Sequence, residues 1–296
     1  MKIKTIILLL SITALLMSCE DIVEVTLSDE TADLYAIEAK ITSEDNPSVF
    51  VYKSQRVDAD DPYRGISGAS VIISDNGQPK KTVTLKESPE KRGLYVPEEG
   101  INYFGEPGKE YTLEIKINGV KITSTEILAR VEPMDSIQVR PSIRGDYMYL
   151  GIYTFGNEPQ ELGNYYKWDI YINDTLLSKS DNLVVVSDEF VNGNYVAGFE
   201  IFTDFYDPNK PEDRLLNLGD TIRVKQMSIS KYAYSFYNQM FTQGQTGGLF
   251  SVPPANIESN FTSSDGRKVL GVFTAHDVSN SNVVVIDESI EEQLEK

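Results

Sequence analysis

Hydrophobic and polar residues alternate with a period of two along much of the chain after residue 34. In YTLEIKING every second residue from Tyr111 to Ile117 is apolar, and Asn118-Gly119 follows as a strong signal for a two-residue hairpin turn. The segments LYAIEAKIT, SVFVYKS and GASVIISDNGQPKKTVTL are also rich in β-branched and aromatic residues. Residues 34–131 are therefore predicted to form a small antiparallel β-sandwich.

A second series of short apolar segments occupies residues 132–290. Pro133 marks the boundary, and YMYLGIYTF, YYKWDIYI, YVAGFEIF, TIRVKQMSI and VLGVFTA follow it with turn residues between them. The strand YYKWDIYI has the clearest alternation. Its apolar face is predicted to carry Tyr166, Trp168, Ile170 and Ile172. Its polar face is predicted to carry Tyr165, Lys167, Asp169 and Tyr171. This range is predicted to be a second antiparallel β domain, and residues 291–296 a charged tail.

One segment has the periodicity of a helix. In SKYAYSFYNQMFTQ, apolar residues recur at spacings of three and four: Ala233, Phe236, Tyr237, Met240 and Phe241. Ser230 is predicted to cap the start and Gly244 the end of a helix near residues 230–243. Its apolar stripe is predicted to belong to the core; a partner-binding groove is the alternative. The predicted fold is mainly β, with two antiparallel β-sandwich-like domains, the second carrying one amphipathic helix.

The amino terminus has a different pattern. Lys2 and Lys4 precede an apolar run that is shorter than the roughly 20 residues of a membrane-spanning helix, which predicts a signal peptide at residues 1–18. The sequence LMSC, which ends at Cys19, resembles the bacterial lipobox, in which the cysteine thiol receives a diacylglyceryl group. Acyl chains contribute about 0.8 kcal/mol per buried CH₂, so more than one gives stable membrane attachment. Cys19 is predicted to be lipidated and residues 19–33 to be an acidic tether. The alternative is an ordinary buried cysteine.

Composition and charge exclude several partners and chemistries. The formal net charge of −18 argues against nucleic acid and against anionic lipid bound through a basic patch. Cys19 is the single cysteine, so the lipidated chain would fold without disulfides. His276 is the single histidine, and no G-x-S-x-G pattern accompanies it. It is predicted to be a surface or turn residue. We expect that the protein is not an enzyme and that it has no catalytic residue, metal site or cofactor.

Acidic residues leave two alternatives open. Paired carboxylates hydrolyse glycosides without histidine, but 45 acidic residues make chance pairs unavoidable. The loops DADDPY and YDPNKPED could supply oxygen ligands for calcium, although neither has the spacing of an EF-hand. Solvated loops are predicted in both places.

Aromatic residues are the candidate contacts for a glycan or peptide ligand or for a protein partner, because a tyrosine ring is flat and amphipathic. The candidates are Tyr63, Tyr103, Phe104, Tyr165 and Tyr171. Alternatively, these rings cover neighbouring strands or the seam between domains.

The segment LFSVPPANIESNF is a further candidate contact. Pro253 and Pro254 favour an extended arm that would display Phe250 to a β-barrel partner. The alternative is a brace between the helix and the second sandwich.

The ordered set of these motifs resembles a known family. Acidic residues after the lipobox, then GASV, GLY, YFGEPGKEYTLEI, EPMDSI, a Tyr-rich helix, LFSVPPANIESNF and VLGVFTAHDV occur as in the Bacteroidetes lipoproteins named domain of unknown function 4249 (DUF4249). The motifs within residues 34–131 also resemble Ig-like, transthyretin-like and carboxypeptidase-regulatory-like sandwiches. One departure is Ser259, where the family pattern has glycine before the residue that is here Asn260, so the turn geometry there is open.

The resemblance implies a location and a role but no activity. Acidic residues soon after the lipidated cysteine resemble the signal for the outer face of the outer membrane; the alternative is a linker without an address. Members are commonly encoded beside TonB-dependent transporters. The resemblance therefore implies an outer-membrane, surface-exposed lipoprotein that acts as a non-enzymatic binding or accessory subunit of a TonB-dependent nutrient-uptake transporter. The alternative is a structural or adhesive cell-envelope lipoprotein without a transport role.

Overall fold

The computed structural model describes residues 33–55, 64–145, 147–179, 182–206, 215–244 and 257–294. The described residues form one compact unit. Several predicted features lie outside the described residues: the signal peptide, the tether up to residue 32, Cys19, Tyr63, Phe250, Pro253 and Pro254. In the described part of the chain, no helix is long and apolar enough to cross a membrane.

The fold is mainly β, as predicted. The strands are β1 (Tyr35–Thr42), β2 (Ser48–Lys53), β3 (Arg64–Gly65), β4 (Ser70–Asp75), β5 (Thr82–Glu87), β6 (Leu94–Val96), β7 (Glu110–Ile117), β8 (Val120–Ile127), β9 (Met134–Arg144), β10 (Tyr147–Asn157), β11 (Tyr165–Ile172), β12 (Thr175–Leu176), β13 (Val184–Ser187), β14 (Tyr195–Tyr206), β15 (Thr221–Ser228), β16 (Thr262–Ser263), β17 (Val269–His276), β18 (Val278–Asn280) and β19 (Val284–Val285). The helices are α1 (Lys231–Gly244) and α2 (Glu288–Leu294).

The described strands form three sheets. A ten-stranded sheet has the order β16-β8-β7-β4-β5-β6-β2-β1-β17, with β3 beside β2. A three-stranded sheet has the order β14-β10-β9, and a six-stranded sheet has the order β12-β11-β15-β18, with β13 beside β11 and β19 beside β15. The ten-stranded sheet encloses one hydrophobic core, and the two smaller sheets pack around another, so both halves are sandwich-like.

The hairpin between β7 and β8 has the predicted turn. Ile117 pairs with Val120 across Asn118 and Gly119, whose φ angles are 48° and 79°. Positive φ at both central residues is what a type I′ turn requires, and its twist matches that of the flanking strands. Every second residue of β7 from Tyr111 to Ile117 is buried, which confirms the predicted alternation.

The ten-stranded sheet contains strands from both predicted domains. Strand β17 pairs with β1 in parallel, from Tyr35 opposite Val269 to Thr42 opposite His276, and β16 pairs with β8. Because β1 would otherwise be an open edge over a hydrophobic core, β17 covers it and adds apolar side chains, among them Phe273, to that core. The hydrogen bonding of this sheet therefore continues past the predicted boundary at residue 132.

The turn before β16 is held by Asn260. Its side-chain oxygen accepts the N–H of Phe273 at 2.9 Å, and its amide nitrogen donates to the Phe273 carbonyl at 2.7 Å and to Glu126 at 2.9 Å. The Ser259 hydroxyl accepts the N–H of Phe261 at 3.3 Å. The segment is thus fastened to both β17 and β8.

The helix α1 begins as predicted. The Ser230 hydroxyl accepts the N–H of Ala233 at 3.1 Å, which is the bond of an N-cap residue. Ala233 and Phe236 are buried, whereas Met240 is 40% exposed, so the apolar stripe leaves the core toward the end of the helix.

A short second helix extends into the predicted charged tail. In α2, Asp287 caps the start by accepting the N–H groups of Ser289 and Ile290, and Ile290 is buried in the core of the second half. Residues 291–294 of the predicted charged tail thus form the end of this helix.

Candidate functional site

A cleft of about 810 Å³ lies between the two halves of the molecule. One wall is the outer face of β2, β1 and β17, and the other is the outer face of β11 and β15. The helix α1 adds Phe236, Tyr237 and Met240. We call this space the central cleft.

The first wall of the central cleft is aromatic and charged. Phe50 and Tyr52 alternate along β2 with the core residues Val49 and Val51, and their rings stack with centroids 4.9 Å apart. The Tyr52 hydroxyl donates to Glu38 on β1 at 3.1 Å. Lys91 holds its ammonium 4.0 Å from the centroid of the Phe50 ring, as a cation–π contact.

The second wall carries ion pairs. Lys167 and Asp169 are paired along β11, on the polar face that the sequence predicted. On β15, the Lys225 ammonium lies 3.0 Å from Glu44 and 3.5 Å from Asp45. Burial alone would lower the pKa of Lys225, but these carboxylates raise it above the ordinary value. Lys225 is therefore charged and fixed in place.

His276 lies at the floor of the central cleft and is only 4% exposed. Its Nδ1 lies 3.1 Å from the carbonyl oxygen of Ser228, and because a carbonyl only accepts, Nδ1 carries the proton. Burial, together with the smaller effect of the Lys167 charge, lowers the pKa of His276 to about 4. The prediction of a surface or turn histidine was wrong, because the end of β17 packs against the end of β15.

Tyr237 of α1 completes the floor. Its hydroxyl is hydrogen-bonded to Thr274 of β17, and burial raises the pKa of this phenol above its ordinary value. The Lys167 ammonium lies 5.8 Å from the centroid of its ring. The helix thus contacts β17 of one wall and β11 of the other wall at this end of the cleft.

The arrangement suits binding by stacking and hydrogen bonds. The described residues that line the cleft include four lysines, Lys40, Lys91, Lys167 and Lys225, beside three carboxylates, Glu38, Asp45 and Asp169. Such side chains form hydrogen bonds and ion pairs with the hydroxyl, amide or charged groups of a polar ligand. The tyrosine and phenylalanine rings stack on the flat faces of the ligand. Among the residues that the structure describes, no three His, Cys, Asp or Glu side chains form a group that could hold a metal ion.

The predicted contact residues are distributed over different places. Tyr171 lines the central cleft, with its ring 4.3 Å from the Arg223 guanidinium carbon. Tyr165 lies under α1, with its ring 5.0 Å from that of Tyr234.

The two predicted loop residues also differ from each other. Tyr103 packs edge-on against Tyr111 at 6.5 Å, beside the first core, and its hydroxyl donates to the Lys81 carbonyl at 3.4 Å. Phe104 is 45% exposed. The structure therefore brings neither residue to the central cleft.

Sequence reasoning missed most of the cleft residues. One signal for Phe50 and Tyr52 was present: β2 is apolar on both faces, and a strand that is apolar on both faces is covered on both. No comparable local signal marks Lys40, Lys225 or Tyr237, because they meet only when the two halves pack together.

Comparison with known proteins identifies a family. A family model described as a domain of unknown function, DUF4249, matches residues 20–282. This range contains β1 to β18, α1 and every described residue that lines the central cleft. A search of curated proteins found no match to the chain.

Proposed function

The chain belongs to the family described as a domain of unknown function, DUF4249, and from this membership and the central cleft we propose that it is an outer-membrane lipoprotein. In this proposal it faces the cell exterior and acts as a non-enzymatic binding or accessory subunit of a TonB-dependent nutrient-uptake transporter. Its source is a Bacteroidetes cell envelope, and its first sandwich is of the transthyretin-like type.

The central cleft is the observation that carries this proposal. Its volume of about 810 Å³ lies within the range of roughly 300 to 1,000 Å³ that is usual for ligand pockets. The stacked Phe50 and Tyr52 rings and the fixed Lys225 provide flat apolar surface and directed charge side by side. A glycan or a peptide carries flat faces and polar groups that complement this surface.

The amino-terminal sequence supports the membrane attachment. Lipid on Cys19 would anchor the chain, and residues 19–33 would connect the anchor to β1. Fifteen extended residues reach at most about 50 Å, which is enough to hold the folded body beside the outer mouth of a barrel. The net charge of −18 favours a body held away from an anionic membrane surface.

The chemistry of the cleft supports binding rather than catalysis. His276 is 4% exposed and its pKa is lowered to about 4, so its unprotonated ring nitrogen is a weak base with little access to a bound ligand.

The test is purification from native outer membranes in gentle detergent through a carboxyl-terminal tag. We expect a stoichiometric β-barrel transporter to co-purify with the wild-type protein and to be lost with Cys19→Ala. Mass spectrometry identifies the partner and the acyl chains. A lipidated protein that purifies alone would contradict the transport role and favour the structural or adhesive alternative.

A matched pair of variants tests whether the central cleft is the contact site. Lys40 and Lys86 are both exposed lysines on strands of the first sheet, but only Lys40 lines the cleft. We expect Lys40→Glu to reduce the recovery of the barrel or its cargo several-fold and Lys86→Glu to leave it unchanged. Equal recovery with both variants would place the contact elsewhere.

A further inference from the structure

A second cavity, of about 270 Å³, lies inside the second half of the molecule. It is bounded by β10 and β14 on one side and by β11 and β13 on the other, and Tyr234 of α1 contributes to its lining. The cavity and the central cleft share no lining residue. Alternation along β11 explains this, because Tyr166 and Trp168 face the cavity while Lys167 and Asp169 face the cleft.

Aromatic rings form much of the cavity wall. They belong to Phe155, Tyr166, Trp168, Phe199 and Tyr234. The Trp168 ring centroid lies 6.0 Å from that of Tyr166 and 6.0 Å from that of Phe199. The Trp168 N–H donates to Gln226 at 3.0 Å, and Gln226 in turn donates to the Glu132 carbonyl at 2.9 Å. These bonds fix the orientation of the indole, so its face is a preformed part of the wall.

The charged side chains in the described lining of the cavity are all negative. Its described lining includes the carboxylates of Glu158 and Asp188 and no lysine, arginine or histidine. Asp188 accepts the N–H groups of Gly163 and Asn164, so its charge is stabilised by the backbone. Glu158 accepts the Tyr166 hydroxyl at 2.8 Å. Burial raises the pKa of Glu158, and the charge of Asp188 raises it further, so this carboxylate would be stabilised by a cation.

We propose that this cavity binds a small organic cation, namely a protonated amine carried on an apolar or aromatic body. The rings of Trp168, Tyr166 and Phe199 attract a cation through their electron-rich faces and bury the apolar body. The Glu158 carboxylate accepts a charge-assisted hydrogen bond from the ammonium group. The described lining disfavours an anion, because it contains two carboxylates and no cationic side chain.

Trp168 supplies the readout, because it is the only tryptophan of the chain. The experiment titrates the folded protein with phenethylammonium, with the neutral isostere phenethyl alcohol and with the anionic hydrocinnamate, and follows the tryptophan fluorescence. We expect a saturable change with phenethylammonium and an affinity about tenfold higher than for the alcohol, the difference between a charge-assisted and a neutral hydrogen bond. Hydrocinnamate should bind more weakly than either.

Two substitutions of the same type locate the preference. Glu158→Gln removes the charge inside the cavity, whereas Glu114→Gln removes one on β7, which does not line the cavity. We expect Glu158→Gln to abolish the preference for the ammonium over the alcohol and Glu114→Gln to retain it. Phe199→Ala should weaken both ligands, because it removes a ring that both would contact.

Two results with the wild-type protein would overturn the inference. Equal affinity for the ammonium and the alcohol would show an apolar cavity without selectivity for a cation, and the absence of a saturable change would show a void in the core. Both comparisons use the wild-type protein, so they decide the question even if a variant does not fold. An unchanged preference in a folded Glu158→Gln protein would also overturn it.

Discussion

At the scale of single residues, the protonation of His276 couples the central cleft to stability. The buried ring donates from Nδ1 to Ser228, and the groups that face it are the ammonium groups of Lys167 and Lys40 and the carboxylate of Asp169. Burial is the largest effect and disfavours the charged ring. The folded-state pKa of about 4 therefore lies below the value of about 6.5 for an unperturbed histidine.

The depressed pKa of His276 predicts a loss of stability in mild acid. Between pH 6.5 and pH 4 the unfolded chain binds a proton that the folded chain does not, so the free energy of unfolding falls as the pH falls through this window. Between pH 8 and pH 5 the loss is about 2 kcal/mol. His276→Asn keeps an amide donor near Ser228 but does not titrate, so it should lack this component. Urea denaturation of both proteins at the two pH values measures the difference, and equal losses would contradict the prediction.

At the scale of secondary-structure elements, the pair of β1 and β17 depends on Gly271. This glycine has a φ of 94°, and a Cβ atom built on it would lie 2.0 Å from the Ile37 carbonyl oxygen of β1. Such a contact is far inside van der Waals distance, and backbone atoms in a paired strand cannot move aside independently. Only glycine allows the two strands to approach so closely at this position.

A comparison of two glycines tests this requirement. Gly119 in the β7–β8 turn also has a positive φ, but nothing lies within 4 Å of its Cβ position. Gly119→Ala should cost about 1 kcal/mol for the backbone conformation alone. Gly271→Ala should cost about 3 kcal/mol, because overpacking is added to the same strain. The free energies of unfolding from denaturant titration measure both costs, and equal values would show that β17 shifts away from β1 without penalty.

The structure confirms the elements that were predicted from local sequence patterns. The Asn118-Gly119 turn, the Ser230 cap and the alternation of β11 depend on residues within a few positions of one another. The position of β17 could not be predicted in this way, because the VLGVFTA pattern is compatible with a strand in either half.

At the scale of the whole molecule, the chain returns to its beginning. The Thr274 hydroxyl of β17 donates to the Ala39 carbonyl of β1 across 235 residues of sequence. The first core is therefore incomplete without a segment that follows β9 to β15 and α1 in the chain. The central cleft depends on the same pairing of β17 with β1, because β17 forms part of one wall of the cleft and β15 forms part of the other.

This connection predicts that the first half does not fold alone. A fragment of residues 33–131 lacks Phe261, Val269, Phe273 and Ala275, which belong to its core, and exposes the edge of β1. We expect it to lack dispersed NMR signals and cooperative melting, and residues 33–296 to unfold in one transition. The matched control adds residues 257–277 through a glycine-rich linker and should regain a cooperative transition. A folded fragment without this addition would show that the predicted boundary at residue 132 separates independent domains.

The sequence by itself determined the β-rich class, the hairpin turn, the helix and its cap, and the two faces of β11. These follow from interactions between near neighbours and from the period of two or of three and four. Only the tertiary structure decided the parallel pairing of β17 with β1, the burial of His276, and the sites on opposite faces of β11. Those outcomes depend on which distant surfaces bury the most apolar area together, and no single segment contains that information.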